Sequence, residues 1–440
     1  MSLRGTKQSP KPNMHTYTRQ LTDLPKTKIL VVGSGSAGAT AAVTAARLGA
    51  EVTLVERYGF MGGISTQVLD TIYGFYTPGS QARKVVGGIP DLVIDELMKR
   101  KAAIYRPNTY GAGQGITYDP EVLKVVWETV ASQSGARILY HSLVVDVIVE
   151  KNILRGVVIA NKSGLFRLMA DLVIDASGDA DVAAACGVPF ESAKDGKIQS
   201  LTTTFKLINV DVARAKQVKK NELHELMASA EGYDLPRKEG SVHVTPLDGV
   251  MATNVTRVTN VDPNDVEQLS RAEIEGRRQA MEYTRFLIER VPGYEKALLS
   301  GLSTQIGVRE SRRIFGEYRL TRADVLSARK FDDAIAQCGA PIEEHHAGAD
   351  TRWEYLPDSE TYHIPYRCLL PQNVDSLLVA GRCLSADHDA HASVRSMGQC
   401  MAMGQAAGTA AALTIANGKT LSEIKIPDLQ DSLRKLGAVI

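Results

Sequence analysis

The sequence predicts an α/β fold, a sheet wound with helices and interrupted by a long α+β insertion, and three observations predict it. The aliphatic run "KILVV" enters "GSGSAG" and an alanine-rich segment over residues 28–42. A second run, "EVTLVE", follows one helix length later. Two further runs, "DLVIDASGDAD" from Asp171 and "DSLLVAGR" from Asp375, end in small-residue turns far along the chain. Short apolar runs that stop at glycine turns and lead into helices read as the strands of β-α-β units.

The first unit has its strand at about Lys28 to Val32 and its helix from about Gly35 to Leu48, closed by Gly49. Gly33, Gly35 and Gly38 let the backbone approach a pyrophosphate, and the helix start at Ser36 and Ala37 offers unpaired N–H groups to its charge. The second strand ends at Glu56, with Arg57 beside it. The interval from Gly38 is the one expected between a phosphate turn and an acid that accepts ribose hydroxyls. Strand, glycines, helix, strand and acid in this order read as a Rossmann-like dinucleotide site. The "GAGQG" at residues 111–115 follows no aliphatic strand and reads as a loop.

After the acid comes "GFMGGISTQ", then a helix in "DPEVLKVVWETVASQSGA". Three strands follow, from "RILYHSLVVDVIVE" to "LFRLMADLVIDAS", with a turn at "NKSG"; their alternation reads as a β-meander. From about Ser200 to Leu370 the pattern changes. "LTTTFKLINV" is strand-like, "DVARAKQVKKNELHELMASA" and "NDVEQLSRAEIEGRRQAMEYTRFLIERV" are amphipathic helices, and Asn264 with Glu267 fit a helix cap and its partner. "GVRESRRIFGEYRLT" and "TYHIPYRCLL" read as strands, and a small-residue helix near Ser396–Met397–Gly398 ends the core.

At 440 residues the chain exceeds one ordinary core, so two intertwined domains are expected. The 51 Lys and Arg nearly cancel the 50 Asp and Glu, a balance that gives no reason to expect nucleic acid or an anionic membrane surface. Five scattered cysteines form no CxxC or CxxxxC pair, which points to reduced thiols and a cytoplasmic location rather than disulfides or zinc. Residues 1–25 lack an apolar secretory core and read as a flexible arm, and "MAMGQAAGTAAALTIA" reads as a close-packed helix, not a membrane span.

Taken together, "GG-x-S/T" after the acid, "DASGDAD" mid-chain and "GRC-x-S…R-x-MG-x-C-x-x-x-GQAAG" near the end resemble the FAD-dependent oxidoreductases of the glutathione-reductase-like (GR2-type) superfamily. The resemblance covers about residues 26–200 and 370–420. It implies a discontinuous FAD-binding domain of three-layer ββα architecture over 26–200 and 370–440, with an inserted α+β substrate or cap domain over 201–369. It implies Gly33, Gly35 and Gly38 at the pyrophosphate and Glu56 at the ribose. Gly62, Gly63 and Ser65 or Thr66 would lie along the pyrophosphate and flavin edge, and Val144 or Val145 at the adenine. Ser177, Gly178 and Asp179 would lie beside the phosphate and ribityl portion. Gly381 and Arg382 stand where many such proteins have Gly-Asp, so the charge there is inverted.

The last helix start, at Met397 and Gly398, can turn its partial positive charge to the flavin edge that becomes negative on reduction. "GFMGGISTQ" has no histidine or cysteine, so the FAD is expected to be non-covalent. In "SADHDAHASVR", read as a loop passing the flavin, His388 and His391 are candidate proton-transfer groups, or loop histidines without a catalytic part. Arg395 could anchor a substrate carboxylate or hold the loop. Alternation along "GVRESRR" sets Arg309 and Arg313 on one face and Arg312 on the other, to meet an anion or to pair with Glu310. "EEHH" at residues 343–346 lacks HExxH spacing, so no metal is expected, and Tyr366 reads as core.

The favoured function is a dehydrogenase or oxidase that moves a hydride from a small polar or anionic metabolite to FAD, with oxygen, a quinone or a protein taking the electrons. A monooxygenase reduced by NAD(P)H and a flavin-binding scaffold or tRNA-modifying factor are the alternatives. The sequence leaves the oligomeric state open.

Overall fold

The structure, a computed structural model, describes residues 18–108, 111–193, 197–348, 350–357 and 359–440. Five parallel strands lie in the order Arg137–Leu139, Val52–Val55, Thr27–Val32, Gly164–Asp175 and Leu377–Val379. Strand Gly164–Asp175 serves two sheets. Its second half runs parallel to Thr27–Val32, while its first half pairs antiparallel with Ile153–Asn161, which pairs in turn with Leu143–Glu150. The hairpin turns at "NKSG", as expected for the meander.

Alternation along the strands divides the core into layers. Ile29, Val31, Leu54 and Ile174 pack with helices Ser36–Arg47, Pro120–Ser134 and Met397–Asn417. Leu30, Val32, Val55 and Val173 face the other way, onto Leu154, Val157, Ile159 and Leu168 of the meander. Helices, parallel sheet and meander are the three layers. The fold is α/β.

The insertion has its own core. Strands Ser241–Val244, Met251–Asn254, Phe205–Ile208 and Leu298–Leu302 form an antiparallel sheet in that order. Helix Val266–Arg290 lays Ala280, Tyr283, Phe286 and Leu287 on Phe205, Leu207 and Met251. Residues 320–369, expected within the cap, pack instead into the helix-side core through Leu320, Ile335, Ile364 and Leu369.

Several local expectations are corrected. The cap of the long helix is Asp265, whose carboxylate accepts from the N–H groups of Glu267 and Gln268, not Asn264. "DVARAKQVKKNELHELMASA" forms two helices, Val212–Ala215 and Lys220–Ala228. Of "GVRESRRIFGEYRLT" only Arg313–Ile314 is strand, and the expected loop after Asp387 is helix His388–Val394, capped by the Asp387 carboxylate on Ala390 N–H. Of the expected flexible arm, residues 1–17 lie outside the described residues, while Thr22–Asp23 adds a parallel strand to Phe166–Arg167. Among the described residues no helix is long and apolar enough to cross a membrane, and all five cysteines are free.

Candidate active site

Two helix starts open on one cavity of about 730 Å³. What holds them together is a pair of glycines. A Cβ on Gly404 or Gly408 would come within 2.1 Å of the Ala37 carbonyl oxygen and 2.4 Å of that of Ala41. Helices Ser36–Arg47 and Met397–Asn417 thus run side by side in the same direction. At 1.5 Å of rise per residue, the second begins about 9 Å ahead of the first. Neither start has a side-chain cap. Two positively polarised ends without side-chain caps therefore point into one space, spaced along it, the Gly398 N–H of the second being taken by Tyr73 O at 3.0 Å.

The glycine turn shapes the narrow end. Gly33 has φ +89°, and a Cβ there would lie 2.6 Å from the Ala176 carbonyl. Gly38 backs onto Gly33, where a Cβ would come 1.8 Å from the carbonyl oxygen. Gly35 differs: a Cβ there would meet nothing nearer than Gly63 Cα at 3.9 Å, so it looks onto open space. Gly33, Gly35, Ser36, Ala37 and Gly63 line the cavity; Gly38 serves the helix packing behind it. Glu56 also lines it, buried, with its carboxylate accepting from Ser34 N–H at 2.8 Å, Ser34 Oγ–H at 2.6 Å and Tyr58 N–H at 2.9 Å.

The middle is closed by Arg382. Its guanidinium donates to Gly178 O at 2.7 Å and Val308 O at 2.6 Å and forms an ion pair with Asp179. Ser311 Oγ–H donates to the same carboxylate at 2.6 Å. Burial pushes the Asp179 carboxyl up, but Arg382 and Ser311 more than offset it and hold it below its ordinary range. The inverted charge at position 382 is therefore answered within the fold, by a carboxylate 203 residues earlier.

The wide end is cationic. Arg237, Arg309 and Arg395 line it, with Glu343 and His345 among them. Arg309 donates to Ser200 O at 2.7 Å, Arg395 to Gln199 Oε1 at 2.8 Å, and Arg237 to Asn254 O at 3.1 Å. The Nε atoms of Arg237 and Arg395 are buried with no partner among the described residues. Burial lowers all three: Arg237 to about 10 with Arg257 adding to it, Arg309 with Arg237 and Arg395 adding to it, and Arg395 against the opposing pull of Glu343 and Glu310. Arginine nonetheless stays charged at neutral pH. Burial raises Glu343, but His345, Arg395 and Arg309 bring it down to about 2, and burial with Arg309 keeps His345 well below the usual imidazole range.

Residues 28–433 match the family model described as "FAD dependent oxidoreductase". The chain belongs to the FAD-dependent oxidoreductase family. No curated protein sequence matches it. Among solved structures it is similar to the flavin-dependent brominase Bmp2, at 14% identity and TM-score 0.49 over 92% of this chain and 83% of that one. It is similar also to a geranylgeranyl bacteriochlorophyll reductase-like protein from Thermoplasma acidophilum (14%, TM-score 0.45, 93% and 83% covered). A third is the p-nitrophenol 4-monooxygenase PnpA from Pseudomonas putida DLL-E4 (12%, TM-score 0.44, 93% and 89% covered).

This FAD-dependent oxidoreductase fits its cofactor: two helix starts without side-chain caps and a glycine facing empty space suit an anionic dinucleotide. Arg57, Val144, Ser177, Gly178, Asp179, Gly381, Arg382 and Met397 also line the cavity. Other expected contacts do not. The Ser65 hydroxyl donates to Gly62 O and that of Thr66 to Met61 O, both at 2.7 Å, so they brace the Gly62–Gly63 turn. Gly62 packs on Thr66, Gly398 on the Tyr73–Gly74 backbone, and Val145 points to solvent, 49% exposed.

The two expected histidines stand behind the cavity wall. His388 Nδ1 and Nε2 bond Glu310 and Glu344 at 3.0 and 3.1 Å. His391 is fully buried and donates from Nε2 to Arg382 O at 2.8 Å. Their reading as proton-transfer groups assumed a loop; the helix His388–Val394 turns them inward. Arg313 is likewise buried, on Glu310 and Glu191, while Arg309 and Arg312 both line the cavity, Arg312 paired with Asp181 and Arg309 beside Arg237 and Arg395. "EEHH" divides by strand alternation: Glu343 and His345 reach the cavity, while Glu344 turns to His388. Arg237, Asp70 and His243 line the cavity without a sequence signal, since each is a lone polar residue in an unremarkable segment.

Proposed function

We propose that this enzyme is a dehydrogenase or oxidase that takes a hydride from a small anionic metabolite onto non-covalently held FAD. The observation that carries the reading is the convergence of Arg237, Arg309 and Arg395 at the wide end of the cavity. Three partly desolvated guanidinium groups repel one another, and an incoming carboxylate relieves that repulsion while making charge-assisted hydrogen bonds.

In this reading Gly33, Gly35, Ser36, Ala37 and Gly63 hold the pyrophosphate with backbone groups, Glu56 and Arg57 hold the ribose, and Val144 covers the adenine. Ser177, Gly178 and Asp179, tied down by Arg382, flank the ribityl chain, and Met397 brings a helix start to the ring. Bound FAD supplies the hydride acceptor. The Cys400 thiol lines the cavity, but burial pushes it up to about 12, which keeps it un-ionised and supports a non-covalent cofactor.

The test begins with the visible spectrum of the purified protein and release of FAD on acid precipitation. Anaerobic bleaching by pools of anionic metabolites, with neutral pools and NADPH as comparators, then separates the readings. Bleaching by an anionic pool alone supports the proposal; bleaching by NADPH without any such pool overturns it in favour of a monooxygenase. Arg309→Met is expected to weaken the bleaching anion's binding about ten- to a hundredfold, the worth of one charge-assisted hydrogen bond, with FAD content unchanged.

A further inference from the structure

The cap sheet and the FAD-binding layer each send one titratable side chain to the same part of the cavity. His243, on strand Ser241–Val244, and Asp70, after the short helix Ile64–Gln67, both line it. His243 Nε2 donates to Asp70 Oδ1 at 2.8 Å, and both side chains are buried. Asp70 Oδ2 is buried with no partner among the described residues. With Nε2 committed, Nδ1 is the acceptor position of the imidazole; Ser241 Oγ, which accepts from Arg106 at 3.1 Å and keeps its own O–H to donate, stands 3.5 Å from it, a long contact that a substrate hydroxyl would replace.

The groups around the pair favour an ionised Asp70 and so this tautomer. Burial raises the carboxyl, but His243 outweighs it, helped by Lys206 and Arg106, and Asp70 stays below its ordinary range. Tyr118, the other titratable neighbour, keeps its proton: burial and Asp70 push the phenol well up, and its hydroxyl donates to Ser65 O at 2.7 Å. Thr71 Oγ1 stands 3.5 Å from Nε2 and adds no charge.

Sheet register sets the distance to the cationic end. His243 pairs with Ala252, so Asn254 is its diagonal neighbour on the next strand, about 7–8 Å away between Cα atoms. Asn254 holds Arg237 by its carbonyl at 3.1 Å and its side-chain oxygen at 3.3 Å. The imidazole acceptor and the residue that holds the anion-binding guanidinium are therefore same-face neighbours on adjacent strands, and both side chains line the cavity.

Resting on the function proposed above, we propose that the substrate is a small hydroxy carboxylate, with its carboxylate at the arginines and its carbinol hydroxyl on Nδ1 of His243, which Asp70 orients. The hydride leaves the carbinol carbon with both C–H electrons and passes to FAD. The hydroxyl proton moves to Nδ1, and the carbon–oxygen double bond forms. The substrate loses two electrons and FAD gains two; His243 is the catalytic residue and Asp70 the positioning residue.

Holoenzyme labelled with ¹⁵N-histidine tests the arrangement without turnover. The imidazole of His243 is expected to carry its proton on Nε2 with Nδ1 bare, and the Nδ1–H tautomer overturns the proposal. A panel of 2-hydroxy, 3-hydroxy and 2-amino carboxylates is then used to bleach the flavin anaerobically. Bleaching by hydroxy acids is expected; bleaching confined to amino acids overturns the substrate class. His243→Gln is expected to slow bleaching by about a hundredfold or more, the range of general-base catalysis, while the matching oxo acid still binds within threefold as read by flavin difference spectra. Asp70→Asn should slow bleaching and lower the share of the Nε2–H tautomer, and Asp70→Glu should restore part of both. If no anionic compound bleaches the wild type, the proposed function itself fails. If one does and His243→Gln is unimpaired, the function stands and this assignment falls.

Discussion

The narrow and wide ends of the cavity are built by different means. At the narrow end backbone atoms do the work: Gly33, Gly35 and Gly63 come close, and the helix at Ser36 presents its first N–H groups. At the wide end side chains do it, and Asp70, Arg237, His243, Arg309, His345 and Arg395 arrive from five separate stretches of chain. A backbone site depends on local conformation and tolerates little change in shape. A side-chain site depends on how distant elements pack, and its members can be altered one at a time without disturbing the sheet beneath.

The sharpest way to break this comparison is Gly35→Val. The backbone at Gly35 has φ −63°, open to any residue, and its Cβ would project into empty space. The variant should fold with an unchanged melting temperature but bind FAD about ten- to a hundredfold more weakly, the cost of filling a fitted space, as read by flavin fluorescence. Gly38→Val should instead fail to fold stably, because its Cβ would strike Gly33 O. If the two variants behave alike, the distinction between cradle and packing is wrong.

A smaller effect separates the buried histidines from the cavity. Burial, with Arg313 and Arg395 nearby, lowers His391 to about 3 despite Glu310. The unfolded chain therefore takes up a proton near pH 6.5 that the folded protein refuses, and stability falls as pH drops from 6.5 toward 3. His388 has the opposite sign: burial lowers it, but Glu310 and Glu344 raise it further, so its contribution is complete below pH 6.5 and fades as pH rises through its raised value. His391→Gln should flatten the acid side of the melting-temperature profile and leave flavin reduction per bound FAD unchanged. A large loss of reduction with an unchanged profile would return His391 to the chemistry. The smallest effect is expected from Val145→Ser, which should leave FAD affinity within about twofold because an exposed side chain outside the cavity loses no burial.

The narrow end was legible because it is contiguous. Gly33 to Gly38, Glu56 and the helix starts follow from strand–turn–helix order, and the meander followed from its alternation. The histidines of "DHDAH" were misread because their segment forms a helix, which turns His388 and His391 to the inside; helix or loop was decided by packing against residues 320–344, far away in sequence. Arg382 could be seen to break the usual pattern, yet its partner Asp179 could not be paired with it until strands Gly164–Asp175 and Leu377–Val379 were seen side by side.

By itself, then, the sequence determined the α/β scaffold and the glycine cradle of a dinucleotide site, because φ preferences, apolar periodicity and helix starts act over a few residues; FAD entered through the family resemblance of its motifs. Only the tertiary structure decided that Gly404 and Gly408 set two helix ends onto one cavity, that three arginines meet there, and that His243 rests on Asp70. Those contacts join residues separated by up to several hundred positions. Nothing in local chain chemistry fixes them; the packing of whole elements does.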